Sequence, residues 1–459
     1  MKCIRYAKET LRCFMTGTVW TKASVLLWGA GCLSRGDRLR GCLYFLEEAA
    51  LLLIIALTMP YLGKLPTLGT VQAQRIWDPA RRQNVWNDYD NSFLILLFGV
   101  VGLLALTAFV LQCLRMLRRA RAAEQESPSP LLPRLLNEDF HRTLLVLPVS
   151  GALLVLAVPL LVMVLVAFTN YDRSHLAPTH LFTWVGLDNF RQLTGLGGAA
   201  FGYALPRVLG WTLIWAVTAT LSCYIAGLLL AMFINHGRTR ARRFHRSCFM
   251  AAMAVPQFVS LLLVRNLLAD VGLINTLLKN WGVTDWLHSV GAIPTPNYIP
   301  FLTHPAWARP MILLINLWIG APWQMMVATG VLLNIPKELA EAARIDGAGP
   351  IAVFRRITLP YFLQVTGPGL ITGMVTNINN FGVIWLLTRD VYVTADQTLA
   401  TAGATEVDLL VTWLYRLTQD QSNYKMASVI GLIVFLLCSG FSLAALIRLN
   451  RNGREEAFQ

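Results

Sequence analysis

The side chains best suited to binding a ligand lie in an apolar stretch of membrane-spanning length, residues 361–387. Its small and polar residues recur at the spacing i, i+3, i+4 and i+7 and therefore share one helical face: Gly373, Thr376, Asn377 and Asn380. Amides within a bilayer are costly unless they face other helices or water. Because an amide both donates and accepts hydrogen bonds, this face suits the hydroxyl groups of a sugar. Hydrogen bonding between helices is the alternative interpretation.

A second apolar stretch, residues 310–333, provides a partner face that consists of Asn316, Ile319, Gly320 and Trp323. An indole ring can stack on a pyranose ring, and Gly320 leaves room beside it. A tryptophan in a membrane helix also serves for packing or for interfacial anchoring. The two stretches together predict a sugar site, with packing as the alternative.

The segment between these stretches, residues 334–360, predicts two short helices joined at a glycine turn. Pro336 suits a first helical turn, residues 339–345 are rich in alanine, and Gly347 ends the helix. A loop without a function needs no such organisation, so we interpret the segment as a knob that docks into a partner's groove. The residues expected there are Glu341, Ala342, Ala343, Asp346 and Gly347.

The amino-acid composition indicates that these apolar stretches lie in a membrane. Of the 459 residues, 55% are hydrophobic and 14% are charged, whereas soluble domains carry about 25% charged residues. Runs of about 20 mostly apolar residues predict membrane helices at residues 43–63, 93–114, 144–168, 208–235, 248–268, 310–333, 361–387 and 426–447. The sequence therefore predicts an all-α polytopic membrane protein with eight transmembrane helices.

The basic residues indicate the orientation of these helices. Of the 39 Lys and Arg residues, 26 lie in the terminal segments and in every second loop, and 12 lie in the alternate loops. Because basic loops stay in the cytoplasm, both termini are expected inside a bacterial plasma membrane. The charge then reflects topology, so binding to nucleic acid is not expected. Arg265 is the one basic residue within a span, near its outer end, where its side chain could reach the interface.

The predicted organisation follows from the spans and the linkers. It comprises a cytoplasmic or interfacial segment 1–41, a two-helix hairpin 42–114, a cytoplasmic linker 115–143, a six-helix core 144–447 and a cytoplasmic tail 448–459. No phosphate-binding loop, nucleophile elbow or intramembrane carboxylate pair is present, and His175 and His180 lack the other ligands of a zinc site. The chain is therefore not expected to be an enzyme or to hold a cofactor or metal itself.

Residues 341–348, which read Glu-Ala-Ala-Arg-Ile-Asp-Gly-Ala, resemble the EAA signature of permease subunits in binding-protein-dependent ABC importers. Phe354, Leu359 and Pro360 follow at a similar spacing, and the resemblance covers about residues 140–459. Within that family the chain is most similar to the maltose/maltodextrin-type oligosaccharide permeases. The resemblance implies a type I permease fold in which the EAA segment is the coupling helix, and the extra N-terminal hairpin of that group would account for the first two spans.

The same resemblance implies partners. A second permease subunit would complete the pore, and a cytoplasmic ATPase dimer would bind ATP and Mg and receive the coupling helix, with Glu341 paired to one of its basic residues. An extracellular binding protein would deliver the oligosaccharide. Because the outer loop 169–207 is short, that protein is expected to be a lipoprotein held at the membrane lipid. ATP binding would turn the pore outward and hydrolysis would reset it.

The resemblance also places sugar contacts at seven positions: Ile319, Gly320, Trp323, Gly373, Thr376, Asn377 and Asn380. Trp323 and Thr376 replace the Tyr and Phe of the type case, which leaves the choice of sugar open between maltodextrin, favoured by overall likeness, and a galacto-oligosaccharide or another glycan. The alternative functions are those of a stand-alone secondary carrier, a membrane scaffold or an enzyme. They leave the EAA segment unexplained, and the sequence shows no midplane ionisable pair or catalytic cluster.

Overall fold

Helices form nearly all of the regular structure in the computed structural model, which describes residues 13–79, 82–123, 140–177, 180–195, 199–236 and 239–456. The chain divides into two units, Met1–Gly186 and Leu187–Gln459, each with its own internal packing. Seven helices in the described residues are long and apolar enough to cross a membrane. The predicted helical, multi-pass architecture is confirmed at this level.

The first unit contains six helices and two strands among the described residues. The helices are α1 Val19–Ala23, α2 Ala30–Leu33, α3 Arg38–Lys64, α4 Ser92–Ala123, α5 Phe140–Ala152 and α6 Val158–Val166, with a π-helical turn Leu153–Ala157 between the last two. Helices α3 and α4 are antiparallel, because Tyr61 contacts Phe98 at one end and Glu47 accepts a hydrogen bond from Gln112 at the other. Helix α4 continues beyond the predicted limit at residue 114.

The connection between α3 and α4 departs from the all-α prediction. Strands β1 Arg75–Asp78 and β2 Gln83–Trp86 form a two-stranded antiparallel sheet in which Ile76 lies opposite Val85. The buried Asp90 carboxylate anchors this connection by accepting hydrogen bonds from Lys64 Nζ (2.6 Å) and from the Thr70 and Val71 amides. Burial raises the pKa of Asp90, but these three hydrogen bonds outweigh burial, so the pKa lies below its ordinary value.

The second unit contains fourteen helices among the described residues. They are α7 Asp188–Leu193, α8 Ala199–Asn235, α9 Arg242–Ala254, α10 Gln257–Leu267, α11 Leu273–Asn280, α12 Val283–Ser289, α13 Pro305–Asn334, α14 Lys337–Ile345, α15 Pro350–Val353, α16 Leu359–Ile378, α17 Phe381–Thr388, α18 Gln397–Thr401, α19 Leu410–Gln419 and α20 Tyr424–Glu456. A π-helical turn, Phe354–Thr358, connects α15 to α16.

Helix α8 is the central helix of this unit. It runs parallel to α13, because the Trp211 ring contacts Arg309 at one end and Asn235 Nδ2 donates to Thr329 Oγ1 at the other. Small residues allow the two helices to approach closely: a Cβ added at Gly227 would lie 2.4 Å from Gln324 Cβ. Helix α8 runs antiparallel to α16, since Trp215 and Tyr224 contact α16 in reverse order.

The predicted span at residues 248–268 is not one continuous helix. Helix α9 ends at Ala254, Val255 is extended (ψ 127°), and α10 begins after Pro256. A proline disfavours helical backbone at the residue before it, which explains the break. Helix α10 has 11 residues, fewer than a membrane-crossing helix needs, and the prediction of a single helix here is wrong.

Candidate functional site

One face of α8 contacts both of the stretches that the sequence predicts as a sugar site. Ala216, Thr220, Cys223, Gly227 and Ala231 recur every three or four residues and are all small. Thr220 contacts the stretch that includes Gly373 and Asn377, whereas Cys223 contacts the stretch that includes Asn316 and Gly320. The two stretches therefore border the same turn of α8.

Asn377 forms hydrogen bonds between helices. Its Nδ2 donates to Thr220 Oγ1 (3.0 Å), and its backbone carbonyl accepts from Trp215 Nε1 (3.1 Å). Thr220 Oγ1 also lies 2.6 Å from the Ala216 carbonyl, to which it donates. Gly373 is beside this pair, since a Cβ there would lie 3.5 Å from Thr220 Cγ2. At least one side-chain atom of Asn377, its Nδ2, therefore forms a hydrogen bond between helices, which is the alternative to sugar binding.

Asn380 is not on the helical face that the i, i+7 spacing predicts. Helix α16 ends at Ile378, and Asn380 has non-helical backbone (ψ 87°) and caps α17, accepting from the Val383 amide at 3.3 Å. Asparagine favours this capping position because its side chain replaces a missing backbone partner. Its Nδ2 nevertheless donates to Asn377 Oδ1 (3.3 Å), so the two amides remain adjacent.

The aromatic and hydroxyl members of the predicted site are exposed in this chain. Trp323 is 59% exposed, and among the described residues no hydrogen bond or ring contact joins it to the amides. Thr376 is exposed as well, and its hydroxyl donates to the Thr372 carbonyl of its own helix. Ile319 packs against the hydrophobic core, and a Cβ at Gly320 would lie 2.8 Å from Cys223 Sγ. The structure therefore groups Gly373, Asn377 and Asn380 but leaves Trp323 apart from them.

The contribution of α8 was missed at the sequence level. Thr220 and Cys223 lie in an apolar stretch without an amide, so a search for hydrogen-bonding side chains passes over them. The available signal was the small residue at every third or fourth position from Ala216 to Ala231, a pattern typical of closely packed membrane helices.

The EAA segment forms an exposed helix that ends in a tight turn. Helix α14 begins after Pro336, and Gly347 has a left-handed backbone (φ +83°). The Ala348 amide donates to the Ala343 carbonyl and the Gly347 amide to the Arg344 carbonyl, which is the Schellman arrangement that requires a residue such as glycine.

The outer surface of this turn suits a protein partner. Glu341, Ala342, Asp346 and Gly347 are exposed and Ala343 is half-buried, as expected of a docking surface. The large apolar side chains nearby are exposed as well, including Ile345 at 87% and Ile351 at 74%. Contiguous exposed apolar side chains next to charged ones are typical of interaction sites.

Polar side chains order the segment 388–425. Asp408 is 1% exposed and accepts from the Thr405 amide (2.8 Å), Thr412 Oγ1 (2.9 Å) and Arg416 Nε (3.3 Å). A hydrogen bond from Tyr203 is the main cause that lowers the pKa of Asp396 below its ordinary value.

The Arg265 side chain is paired with a carboxylate within the protein. Its NH1 group lies 2.7 Å from Asp390 Oδ2 and within 3.4 Å of the Leu386 carbonyl, at the end of α17. The one basic residue within a predicted span is thus paired with a carboxylate. Within the described ranges, no three His, Cys, Asp or Glu side chains are grouped in a way that could hold a metal ion.

Residues 223–453 match the family described as "Binding-protein-dependent transport system inner membrane component". The maltodextrin transport system permease protein MdxF of Bacillus subtilis (strain 168) is 36% identical over 312 residues, which cover 66% of this chain and 67% of the relative. The maltodextrin transport system permease protein MalC of Streptococcus pneumoniae serotype 4 is 30% identical over 455 residues, or 95% of this chain and 97% of the relative. The galactooligosaccharides transport system permease protein GanP of B. subtilis (strain 168) is 32% identical over 299 residues, which cover 65% of this chain and 67% of the relative.

A solved structure with the same fold comes from a bacterial ABC transporter involved in the import of the acidic polysaccharide alginate. Its TM-score is 0.52, its sequence identity is 22%, and the match covers 70% of this chain and 98% of that chain. At this identity the likeness concerns the fold alone.

Proposed function

Because the chain belongs to the family of binding-protein-dependent transport system inner membrane components, we propose that it is the permease subunit of an ATP-driven importer for an oligosaccharide. The observation that carries the proposal is the exposed α14 helix with its Gly347 turn, which combines the EAA sequence with an exposed apolar surface. The chain itself is the transport subunit, and ATP and Mg belong to a separate ATPase dimer.

A maltodextrin is the substrate we infer first. MdxF and MalC are named for maltodextrin transport, and MalC is similar over nearly the whole chain. GanP, named for galactooligosaccharides, supports a galacto-oligosaccharide as the second candidate. Uptake of labelled maltotriose in competition with unlabelled galactotriose distinguishes the two: competition by galactotriose at equal concentration would contradict the first choice.

The sugar would contact the two stretches beside α8. Asn377 uses one of its two N–H donors on Thr220 and accepts one hydrogen bond from Asn380, so half of its hydrogen-bonding capacity is available for hydroxyls. The exposed Trp323 ring would stack on a sugar ring after the neighbouring helices rearrange. Ile319, Gly320, Gly373 and Thr376 would complete the surface.

We infer that the chain crosses the membrane eight times, with both termini in the cytoplasm. Helices α8 and α13 are parallel, so the intervening residues must return the chain across the membrane between them. Helices α9 and α10, joined at Pro256, are the segment available for this crossing. Broken helices are tolerated at membrane depth where they are buried in protein or line a cavity.

The remaining partners follow from the importer proposal. A second permease subunit would form the other half of the pore, and an extracellular binding protein, best sought among lipoproteins, would deliver the sugar to the outer segments. The ATPase would receive α14, with Glu341 next to one of its basic residues. Closure of the ATPase dimer would then move α14 and open the pore outward.

The docking of α14 is tested by charge reversal in the reconstituted complex. Glu341→Lys should reduce both co-purification of the ATPase and sugar-stimulated ATP hydrolysis, whereas membrane insertion stays intact. Glu338→Lys is the matched control, because it makes the same charge change on the same exposed helix. Stimulated hydrolysis that remains at the wild-type rate in Glu341→Lys would contradict the docking role.

A further inference from the structure

Residues 19–38, here termed the N-terminal segment, fold against one end of the hairpin of α3 and α4, and the importer proposal gives them no role. The Trp28 ring lies 5.2 Å from the Phe109 ring of α4, measured between centroids. Further along the segment, the Arg35 guanidinium donates a hydrogen bond to the Ala120 carbonyl at 2.7 Å. The segment therefore runs beside the last turns of α4.

The contacts with α4 place this segment at the level of a membrane surface. The apolar stretch of α4 ends at residue 114, and the basic run 115–121 follows it. At 1.5 Å per residue, Phe109 lies about 8 Å before that boundary and Ala120 about 9 Å beyond it. The N-terminal segment therefore straddles the boundary between the apolar membrane core and the lipid headgroups, on the side that we infer to be cytoplasmic.

Buried contacts hold the inward side of the segment against the hairpin. The Glu48 carboxylate of α3 is buried and accepts a hydrogen bond from the Trp28 amide at 2.9 Å. Ser24 Oγ accepts from the Gly31 amide at 2.9 Å, and a Cβ added at Gly31 would lie 3.1 Å from Ala120 Cβ. One side of the segment is thus ordered by the protein, and the opposite side is exposed.

The outward side of the segment is apolar. Its exposed side chains include Val19 (80%), Leu26 (75%), Trp20 and Leu27. Contact of these side chains with water is unfavourable, whereas tryptophan and leucine on the outer side of such a segment suit a membrane interface. Because the segment lies at the membrane boundary, these side chains are at the depth where the acyl chains begin.

Positive charge surrounds this apolar surface. The described residues 13–48 and 112–123, which form this end of the hairpin and its N-terminal segment, contain eight Lys and Arg residues but only three Asp and Glu residues. The three carboxylates, Asp37, Glu47 and Glu48, already accept hydrogen bonds within the protein. The excess of positive charge is therefore complementary to an anion.

Lys22 and Arg38 are the basic residues of the segment best suited to an external anion. Both side chains are exposed, and apart from the Phe14 ring 5.9 Å from Lys22 Nζ, neither side chain has a partner among the described residues. Arg38 is also the first residue of α3, where the positive end of the helix dipole disfavours a cation. The fold itself therefore does not explain a cation at this position.

We propose that the N-terminal segment is a binding surface for anionic phospholipids of the cytoplasmic leaflet. Lys22 and Arg38 bind the lipid phosphate groups, and the exposed side chains of Leu26 and Leu27 insert among the acyl chains. Basic residues directly beside a membrane helix attract anionic lipids, and an apolar surface next to them adds the contact that a soluble anion lacks. The inference requires the proposed orientation of the chain in the membrane but not the identity of the transported sugar.

The test identifies the molecule that contacts the segment in the assembled importer. The complex carries p-benzoylphenylalanine in place of Leu26 and is reconstituted in nanodiscs of equal parts phosphatidylglycerol and phosphatidylcholine. After irradiation, mass spectrometry identifies the adduct by its mass. We expect adducts of phosphatidylglycerol to exceed those of phosphatidylcholine at least fivefold, the effect of one basic residue near a charged membrane. The same reporter at Leu53, which is exposed in the middle of α3, should show no preference between the two lipids.

Charge removal tests the two basic residues. Lys22→Gln combined with Arg38→Gln should return the adduct ratio at residue 26 toward the composition of the bilayer. Because neither side chain has a polar partner among the described residues, the melting temperature of the complex should stay unchanged. Arg82→Gln combined with Arg173→Gln is the matched control, because it removes the same charge from exposed residues in the outer segments of the same unit, and it should not alter the ratio.

Several results would overturn the lipid surface. Equal amounts of the two lipid adducts at residue 26, or an unchanged ratio in the double variant, would mean that Lys22 and Arg38 do not select anionic lipid. A crosslink from residue 26 to another protein subunit would make the occupant a protein. No lipid adduct at residue 26, while residue 53 reacts, would place the segment outside the membrane. Sugar-stimulated ATP hydrolysis, measured in the same nanodiscs, tests the import proposal separately from all of these results.

Discussion

The hydrogen bond between Asn377 and Thr220 offers the sharpest test of the sugar site, because it can be removed from either side. Asn377→Ala deletes the amide, whereas Thr220→Val deletes the acceptor hydroxyl and keeps the shape of the side chain. Both variants break the same 3.0 Å contact between α8 and α16. Only the first one also removes the amide atoms that are available to a sugar.

The geometry sets different magnitudes for the two variants. A hydrogen bond between membrane helices contributes on average about 0.6 kcal/mol and at most about 1.7 kcal/mol. If Asn377 serves packing alone, both variants should lose this amount of stability and little transport. If the amide binds sugar, its loss leaves a sugar hydroxyl unpaired, which costs about 1–3 kcal/mol, or roughly fivefold to 150-fold in affinity.

The assay compares maltotriose-stimulated ATP hydrolysis and uptake in proteoliposomes with the melting temperature of each complex. We expect small decreases in melting temperature for both variants, the larger one for Asn377→Ala because it also loses the hydrogen bond from Asn380, together with at least a tenfold lower uptake for Asn377→Ala only. Equal uptake by the two variants, at matched assembly, would refute the reasoning, since Asn377 would then act through its bond to Thr220.

Three further predictions concern packing and charge. Gly227→Ala should destabilise the complex by about 1–3 kcal/mol, because the new Cβ would lie 2.7 Å from backbone atoms of α13 and 2.4 Å from Gln324 Cβ. Gly210→Ala, on the same helix with nothing within 4 Å, should be silent in the same thermal unfolding assay. Asp408→Asn should cost about 3 kcal/mol, because it leaves the Arg416 charge without its buried partner; an unchanged melting temperature would contradict this. The depressed pKa of Asp90 means that its stabilisation is complete above its ordinary pKa of about 3.9 and is lost as the pH falls through the lower folded value, so hydrogen exchange of the connection between α3 and α4 should accelerate only below about pH 4.

The EAA segment shows which features are predictable from sequence. The prediction of a helix over residues 339–345 that ends at Gly347 agrees with α14 and its left-handed glycine. Both features depend on local rules, namely alanine propensity and the conformational freedom of glycine. The positions of the long apolar helices are predictable for the same reason, because each depends only on its own hydropathy.

The interruptions at Pro256 and Asn380 were harder to predict. A proline within an apolar run is compatible with a kinked helix as well as with a break, so the sequence of residues 248–268 does not decide between them. Asn380 satisfies the helical spacing but functions as a cap, since α16 ends two residues earlier. A hydropathy average over about 20 residues cannot show that a helix ends two residues earlier than its apolar stretch suggests.

The contacts around the candidate site are predictable from the sequence only in part, because some of them come from α8, a helix that carries no distinctive side chain. The amide stripe identified Asn377, but its partner Thr220 lies 157 residues earlier in the chain. Pairing over such a distance depends on how the small residues of α8 fit against α13 and α16. That fit is a property of the packed helices, not of either segment alone.

The position of α14 explains how one docking event can reach both halves of the proposed sugar site. Helix α14 follows α13 after two residues, and α15 leads through the π-helical turn directly into α16. Gly320 precedes the end of α13 at Asn334 by 14 residues, and Gly373 follows the start of α16 at Leu359 by 14 residues. At 1.5 Å per residue, Gly320 lies about 21 Å from the end of α13 and Gly373 about 21 Å from the start of α16, and both contact α8. Because α14 is connected to both helices, we expect a movement of α14 to displace the two stretches of the proposed sugar site relative to α8.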